Sequence, residues 1–300
     1  MPMPEGLRAQ VELAPMTTWR VGGPARWFWE GPAAEAAPVL AWCAAQDLAW
    51  AVIGAGSNLL VDDGGFDGVV LRLCGNERQV VLDEGLVMAA AEVPMPLLAM
   101  TTARAGWSGL EWMCGIPGTV GGGIAMNAGL SSRPHCDIAS HLEWIDLLGA
   151  DGARVRIPAQ RLRFAYRRCG LPPGLVVAAA FRLVRAGDAQ QPLREIQEQL
   201  AARKAKQPLT ARTAGSTFAS PAGQPAGRLL EAAGLKGVAI GGARVSAKHA
   251  NWIEAEAGCR AADLVALIAR MRAAVLAHSG QALEPEVRRL PNRPWPWQEP

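Results

Sequence analysis

The sequence predicts an α+β fold. Apolar, strand-like runs at 50–53, 69–73, 86–91, 142–147 and 175–184 are short and bounded by turn residues. Helical patterns are few and do not alternate with the strands in the regular order of a parallel βαβ series. With 50% hydrophobic and 19% charged residues, 300 residues make a globular chain with one large core or two to three small ones.

The first helical pattern, at 35–46, precedes the strand at 50–53, and the second, at 94–105, follows the strand at 86–91. Composition shifts at Arg185-Ala-Gly-Asp-Ala-Gln-Gln-Pro192, which marks a boundary. Beyond it a long polar helix is predicted over 193–206, ended by Pro208. The last helix is predicted over 261–278. Its Leu264, Leu267, Ile268, Met271 and Val275 form one apolar stripe, read as a core face, and Gly280 stops it.

A net charge of +3 gives no argument for nucleic acid, and no RNA-binding or helix-turn-helix signature is present. The apolar runs fall short of the ~20 residues of a membrane span. The N-terminal residues lack the apolar core of a secretory signal, so a cytoplasmic protein without a membrane partner is expected. Six cysteines, at 43, 74, 114, 136, 169 and 259, show no C-x-x-C spacing and no zinc-like cluster. They are expected to be reduced and mostly buried, and no metal site is expected. The 11 tryptophans are read as packing residues.

The most informative stretch is Gly115-Ile-Pro-Gly-Thr-Val-Gly-Gly-Gly-Ile-Ala-Met-Asn-Ala-Gly129, in which seven of fifteen residues are glycine or proline. So many glycines are unfavourable in a core strand, and a solvent loop would be more polar. The stretch is read as backbone lying against a large ligand, with amide groups directed at it; a glycine-rich turn at a domain edge is the alternative. A second loop, Gly54-Ala-Gly-Ser-Asn58, follows a strand. Leu59 stands where a dinucleotide fingerprint has its third glycine and no long helix follows, so a Rossmann unit is disfavoured. The loop suits a pyrophosphate-binding nest, and equally a tight strand-to-loop turn.

Together these loops resemble one family. Thr17-Thr-Trp-Arg-Val-Gly-Gly-Pro24, Gly54–Asn58, Gly115–Gly122, Met126-Asn-Ala-Gly129, Ala214-Gly-Ser-Thr-Phe218, Ala233-Gly-Leu-Lys-Gly237, Val245-Ser-Ala-Lys-His-Ala-Asn251 and Leu283-Glu-Pro-Glu286 are similar, in order, to motifs of the UDP-N-acetylenolpyruvoylglucosamine reductases. These are the flavoenzymes of peptidoglycan precursor synthesis, and the shorter of the family's two types fits best. The resemblance covers about residues 15–290. It implies a two-subdomain FAD-binding fold of the vanillyl-alcohol-oxidase (PCMH) type, with subdomains at 1–73 and 74–187, and a C-terminal α+β substrate domain at 188–300. It also implies non-covalent FAD, NADPH as reductant, and a UDP-sugar enolpyruvyl ether as substrate. The protein is expected to be a monomer.

The resemblance also implies a site. Gly54, Ala55, Gly56, Ser57, Asn58, Leu59, Gly115, Ile116, Pro117, Gly118, Thr119, Gly121, Gly122, Met126 and Asn127 correspond to cofactor-binding positions. Hydride addition to an enolpyruvyl ether builds charge on its carboxylate, which calls for a fixed cation. Arg167, in Tyr166-Arg-Arg-Cys169, resembles the family's Tyr-Arg-x-Ser, with Cys169 in place of serine. Ser216 matches the family's proton donor and Glu286 its acidic residue, with Glu284 two positions away. Tyr166, Lys206, Ser220 and Lys236 are expected at the substrate, Ser220 standing where many members have asparagine. A flavin oxidase of the same fold, or a non-catalytic flavin or UDP-sugar binder, would lack a reason for the set Arg167, Ser216 and Glu286.

Overall fold

A computed structural model describes residues 1–75, 80–130, 132–221 and 224–298. In chain order its elements begin with β1 (Arg8–Glu12), β2 (Pro24–Gly31), α1 (Ala37–Ala45), β3 (Trp50–Val52), β4 (Leu59–Val61), β5 (Phe66–Leu73), β6 (Val80–Asp83), β7 (Leu86–Ala90) and α2 (Met95–Arg104). The middle of the chain forms β8 (Trp107–Ser108), α3 (Val120–Ala125), β9 (Leu142–Leu148), β10 (Arg154–Pro158), β11 (Arg163–Ala165), β12 (Arg168–Gly170), β13 (Leu175–Arg182) and β14 (Val184–Arg185). The last part forms α4 (Gln191–Lys206), α5 (Ala226–Ala232), β15 (Ala239–Ile240), β16 (Ala243–Val245), β17 (Ile253–Ala255), α6 (Ala261–Ser279) and β18 (Arg288–Leu290). The fold class is α+β, as the sequence predicts. The elements expected from apolar patterning are all present. Those it did not predict, such as β4 and β18, are mostly too short for their periodicity to show.

The chain divides into two compact units. One comprises residues 1–8, 28–55 and 68–203; the other comprises 9–27, 56–67 and 204–300. In the first unit, five strands form an antiparallel sheet in the order β10-β9-β13-β7-β6. Strand β3 pairs in parallel with β5, placing Trp50 opposite Val69. The core joins α2, β7, β9 and β13 around fully buried Leu98, Leu110, Ile124, Ile145 and Phe181. Helix α1 starts at Ala37, where the early Pro38 suits a first turn that has no amide to satisfy.

In the second unit, β15, β16 and β17 form a small antiparallel sheet, and β18 runs parallel to β4. All five residues of the predicted α6 stripe are 0% exposed, each worth about 1.5–3 kcal/mol of burial. Gly280 ends the helix in the left-handed region (φ 71°), where its amide donates to Leu276. The tryptophans largely pack: Trp19, Trp29, Trp42, Trp112, Trp252 and Trp295 are buried. The cysteines are free; Cys43 and Cys114 are buried, whereas Cys74 is exposed, which corrects the expectation of general burial for that residue.

Candidate active site

A cavity of about 470 Å³ opens in the first unit, within the size range of small-molecule sites. Gly54 and Ala55 line one side, and Pro117, Gly118, Thr119, Gly121 and Gly122 line another. Glycine is needed where these segments meet. A Cβ on Gly54 would stand 2.6 Å from Thr119 Oγ1, and one on Gly121 3.0 Å from the Ala91 methyl. The glycine-rich stretch also contains a helix, α3, which its composition hid. Thr119 caps α3 by accepting from the Gly122 amide at 3.3 Å. The amides of Val120 and Gly121 donate to Val93 and Ala91 carbonyls at 2.9 and 2.8 Å. These glycines therefore act by clearing side-chain volume more than by offering a row of free amides.

The cavity fits part of a dinucleotide such as FAD. Its walls are mainly apolar, its glycines leave room at the backbone, and Glu92, which lines it, has a buried Oε2 with no hydrogen-bond partner among the described residues. At the start of the glycine-rich stretch, Gly115 makes room for Arg203 on α4: a Cβ there would lie 2.5 Å from Arg203 Cδ. Burial holds the Arg203 guanidinium below its ordinary pKa range. Arg203 is a cation that the motif comparison missed, and helical patterning at 193–206 carried no sign of it. Ile116 and Met126 are half-buried in the same unit.

Arg167 sits in the two-residue turn of the β11–β12 hairpin, whose last pair is Ala165 and Arg168. Its φ of 50° is unusual for a residue with a side chain, and such strain gathers at functional sites. The guanidinium donates to the Gly129 carbonyl at 2.7 Å and the Asn127 carbonyl at 3.4 Å. It also lies over the half-exposed Tyr166 ring, 4.8 Å from its centre. Asn127 is buried with φ 39°; its Oδ1 accepts from Ala139 and its Nδ2 donates to the Ala165 carbonyl. The end of the glycine-rich stretch thus builds the seat of Arg167. Cys169 faces Phe164 across the hairpin, and burial pushes its thiol up to about 11. The thiol is neutral at physiological pH and acts as a packing group.

The other half of the sequence-predicted site lies in the second unit, on a short ladder of extended backbone. Ser216 bridges to Trp252, and Phe218 bridges to Pro285. The Thr217 amide donates to the Asn251 carbonyl at 2.8 Å, and the Glu286 amide donates to the Thr217 carbonyl at 2.9 Å. Ser216 and Glu286 are thereby brought onto neighbouring segments. Asn251, 4% exposed, locks the centre, accepting from the Phe218 amide and donating to its carbonyl, both at 2.9 Å. Asn58 closes the far side: its side chain donates to the Glu286 carbonyl at 3.1 Å and its own carbonyl accepts from Arg288 at 3.0 Å. Gly56, at φ +62°, lets this loop turn where a Cβ would collide with the Met16 carbonyl. Ser57 and Leu59 flank Asn58, Leu59 opening β4.

The remaining predicted substrate residues are placed less centrally. Lys206 is exposed at the end of α4. The Ser220 hydroxyl accepts from the Ala226 amide at 3.1 Å at the start of α5. Lys236 pairs with Glu231 at 2.5 Å. Glu284 is exposed and lies 3.7 Å from Arg272, an ion pair that separates it from Glu286. Among the described residues no group of three or more His, Cys, Asp or Glu is arranged to hold a metal ion. None of the described helices is long and apolar enough to cross a membrane.

Two family models match this chain. Residues 31–158 match the family described as FAD binding domain, and residues 207–290 match the UDP-N-acetylenolpyruvoylglucosamine reductase C-terminal domain. The chain is 42% identical over 290 residues to the UDP-N-acetylenolpyruvoylglucosamine reductase of Synechococcus sp. (strain WH7803), covering 95% of this chain and 93% of that protein. It is 40% identical over 278 residues to that of Granulibacter bethesdensis, covering 93% and 89%. The crystal structure of the Thermus caldophilus reductase superposes with a TM-score of 0.80 at 35% identity, covering 94% of this chain and 99% of that one. At these identities, over nearly the whole length of each protein, the chain belongs to the UDP-N-acetylenolpyruvoylglucosamine reductase family.

Proposed function

We propose that this chain catalyses the NADPH-dependent, FAD-mediated reduction of UDP-N-acetylglucosamine enolpyruvate to UDP-N-acetylmuramate, a step of peptidoglycan precursor synthesis. The observation that carries this reading is the family relationship over 290 residues. FAD, when bound, carries two electrons from NADPH to the terminal carbon of the enolpyruvyl group as hydride. Residues of the Gly54–Asn58 loop and of the 115–127 stretch are assigned to hold it, in a pair of subdomains at 1–73 and 74–187, with 188–300 receiving substrate.

The protein's own groups then have separable tasks. Arg167 faces the substrate carboxylate and balances the charge that gathers there as the double bond accepts hydride. Its planar fork suits a carboxylate, and the two carbonyls beneath it fix its direction. Ser216 gives its hydroxyl proton to the adjacent carbon, completing the saturated lactyl ether. Glu286 polarises the substrate and assists that protonation. Tyr166, Lys206, Ser220 and Lys236 are assigned to the rest of the UDP-sugar. The protein acts in the cytoplasm as a monomer.

Anaerobic stopped-flow absorbance tests the reading. NADPH should bleach the bound flavin, and the enolpyruvyl substrate should then restore its colour. A flavin that NADPH leaves oxidised, or that only oxygen reoxidises, would contradict it.

A further inference from the structure

The turn Asp62-Asp63-Gly64-Gly65 directs two carboxylates at residues far along the chain. Asp63 accepts from the first amides of α6, Ala261 at 2.8 Å and Ala262 at 3.1 Å. Asp62 holds Arg289 through both oxygens, at 3.0 and 3.1 Å, with the two side chains only 13% and 11% exposed. Arg289 also donates to the Pro294 carbonyl at 2.5 Å, and its guanidinium lies 5.5 Å from the centre of the Trp295 ring. Trp295 stacks on Trp297 with 5.5 Å between ring centres, and Arg272 of α6 lies over Trp297 at 4.9 Å. The aromatic part of this clasp falls outside the range 207–290 matched by the family's C-terminal domain.

The clasp grips β18 at its middle residue. Strand β18 pairs with β4 in parallel over three residues only, and the Asp62 amide extends the ladder by donating to the Leu290 carbonyl at 2.9 Å. Parallel pairing is the weaker kind, and so short a ladder does little to specify its own register. Register nonetheless matters here. Arg288 meets the Asn58 carbonyl, and Glu286 lies two residues earlier between Asn58 and Thr217. A slip by one residue would turn the Glu286 side chain to the opposite face. Buried ion pairs contribute little net stability as a rule, and fixing register is their best-attested use.

We propose that Arg289 is a positioning residue for Glu286: held by Asp62 and Trp295, it fixes the register of β18 against β4 and so the place of the Glu286 carboxyl. The proposal rests on the role given above to Glu286. A double-mutant cycle tests it, with FAD-loaded wild type, Arg289→Met, Glu286→Gln and the double variant followed through anaerobic reoxidation by the enolpyruvyl substrate. Arg289→Met should slow that half-reaction by roughly 10- to 100-fold, the scale of a misplaced reacting group, and leave reduction by NADPH unchanged. In the Glu286→Gln background the same change should cost about 2-fold or less, because the two residues act as one unit. Hydrogen exchange in the FAD-free protein gives a readout apart from activity: the Glu286 and Arg288 amides should exchange faster in Arg289→Met and recover in part in Arg289→Lys. Equal losses in both backgrounds, or unchanged exchange at Glu286, would overturn the clasp. Wild-type reoxidation in Glu286→Gln would overturn instead the role of Glu286, and with it any part for Arg289 in the chemistry. Should Arg289→Met fail to fold, Arg289→Lys keeps the charge but cannot reach Asp62 and the Pro294 carbonyl from two nitrogens at once, and it enters the same cycle, where a smaller loss that again disappears in the Glu286→Gln background is expected.

Discussion

In the first unit the candidate site is made by removing atoms, and in the second by tying backbone together. Gly54, Gly115 and Gly121 each leave out a Cβ that neighbouring atoms would meet, and the reward is a cavity and a seat for Arg203. Arg167 and Asn127 stand there in strained backbone, Arg167 held by the Asn127 and Gly129 carbonyls of the glycine-rich stretch and Asn127 by the Ala165 carbonyl of the hairpin. Next to Ser216 it is a glycine, Gly215, that takes the positive φ, at no steric cost. Segments near residues 58, 217, 251 and 286 lie side by side, pinned by Asn251 and Asn58. The contrast separates two demands. A large flat ligand needs space, whereas a proton donor needs a fixed direction, and long-range backbone ladders fix direction well.

The strongest break in this comparison is loss of the donor itself. Ser216→Ala removes one hydroxyl from a segment whose shape is set by its neighbours' backbone bonds. Reoxidation of reduced enzyme by the enolpyruvyl substrate should fall by about 10²-fold or more, the usual scale for a positioned acid. Flavin reduction by NADPH should be untouched, and Ser216→Cys should restore part of the rate. A wild-type single-turnover rate in Ser216→Ala would assign the proton to another source.

Arg167→Lys keeps the charge but not the planar fork, and a lysine cannot bridge the Gly129 and Asn127 carbonyls in the same way. We expect a fall of roughly 10- to 100-fold, below the loss of a whole electrostatic donor. The fall should be confined to the enolpyruvyl half-reaction. Parallel losses in both half-reactions would show Arg167 to be structural.

The two regions also differed in how far the sequence revealed them. The glycine-rich stretch is a local signal, dense enough to be noticed and to suggest a ligand. Even so, its composition concealed α3, because glycine has low helix propensity and Thr119 supplies the cap from outside. Arg167 was legible only through its neighbours Tyr166 and Cys169, and its turn conformation was not. The serine ladder joins residues as far as 228 positions apart in the Asn58 bond to Glu286 alone, and no window along the chain displays such pairing. Asn58 was expected at the cofactor; its side chain is seen to carry Glu286. Likewise Asp62 and Asp63, which no motif singles out, secure β18 and α6.

On the cavity side a smaller effect is expected from filling space. Gly121→Val adds a branched side chain where even a Cβ meets Ala91 at 3.0 Å. The protein should fold at somewhat lower stability, by about 1–3 kcal/mol as for other overpacking, and should retain less FAD through gel filtration. The wild type should be yellow and release its FAD into the supernatant on acid precipitation, since the bond is non-covalent. Full flavin content in Gly121→Val would separate this glycine from the cofactor.

The mildest test concerns pH and the ladder side. His249 is two residues before Asn251, and its Nδ1 accepts from the Asn251 amide at 3.2 Å, which requires an unprotonated nitrogen there. Burial lowers its pKa below the usual 6.5; its own backbone hydrogen bond opposes this, nearby Lys236 lowers it further and Glu231 partly offsets that. The unfolded chain therefore takes up a proton at His249 before the folded one does. Its stabilising contribution is complete above the unfolded value of 6.5 and is lost as pH falls from there through the lowered folded value. Thermal melts of the protein should show Tm declining as pH is taken from 7.5 to 5, and His249→Gln should make that decline shallower while leaving the change above pH 7 as it was. Because the ring also borders Trp252, 6.1 Å between ring centres, protonation should loosen the Asn251 end of the ladder before global unfolding. Hydrogen exchange at the Thr217 and Phe218 amides, which Asn251 receives, should then accelerate at low pH in the wild type and much less in His249→Gln. A variant whose Tm and exchange follow the same pH curve as the wild type would show that the ladder is indifferent to the charge on His249.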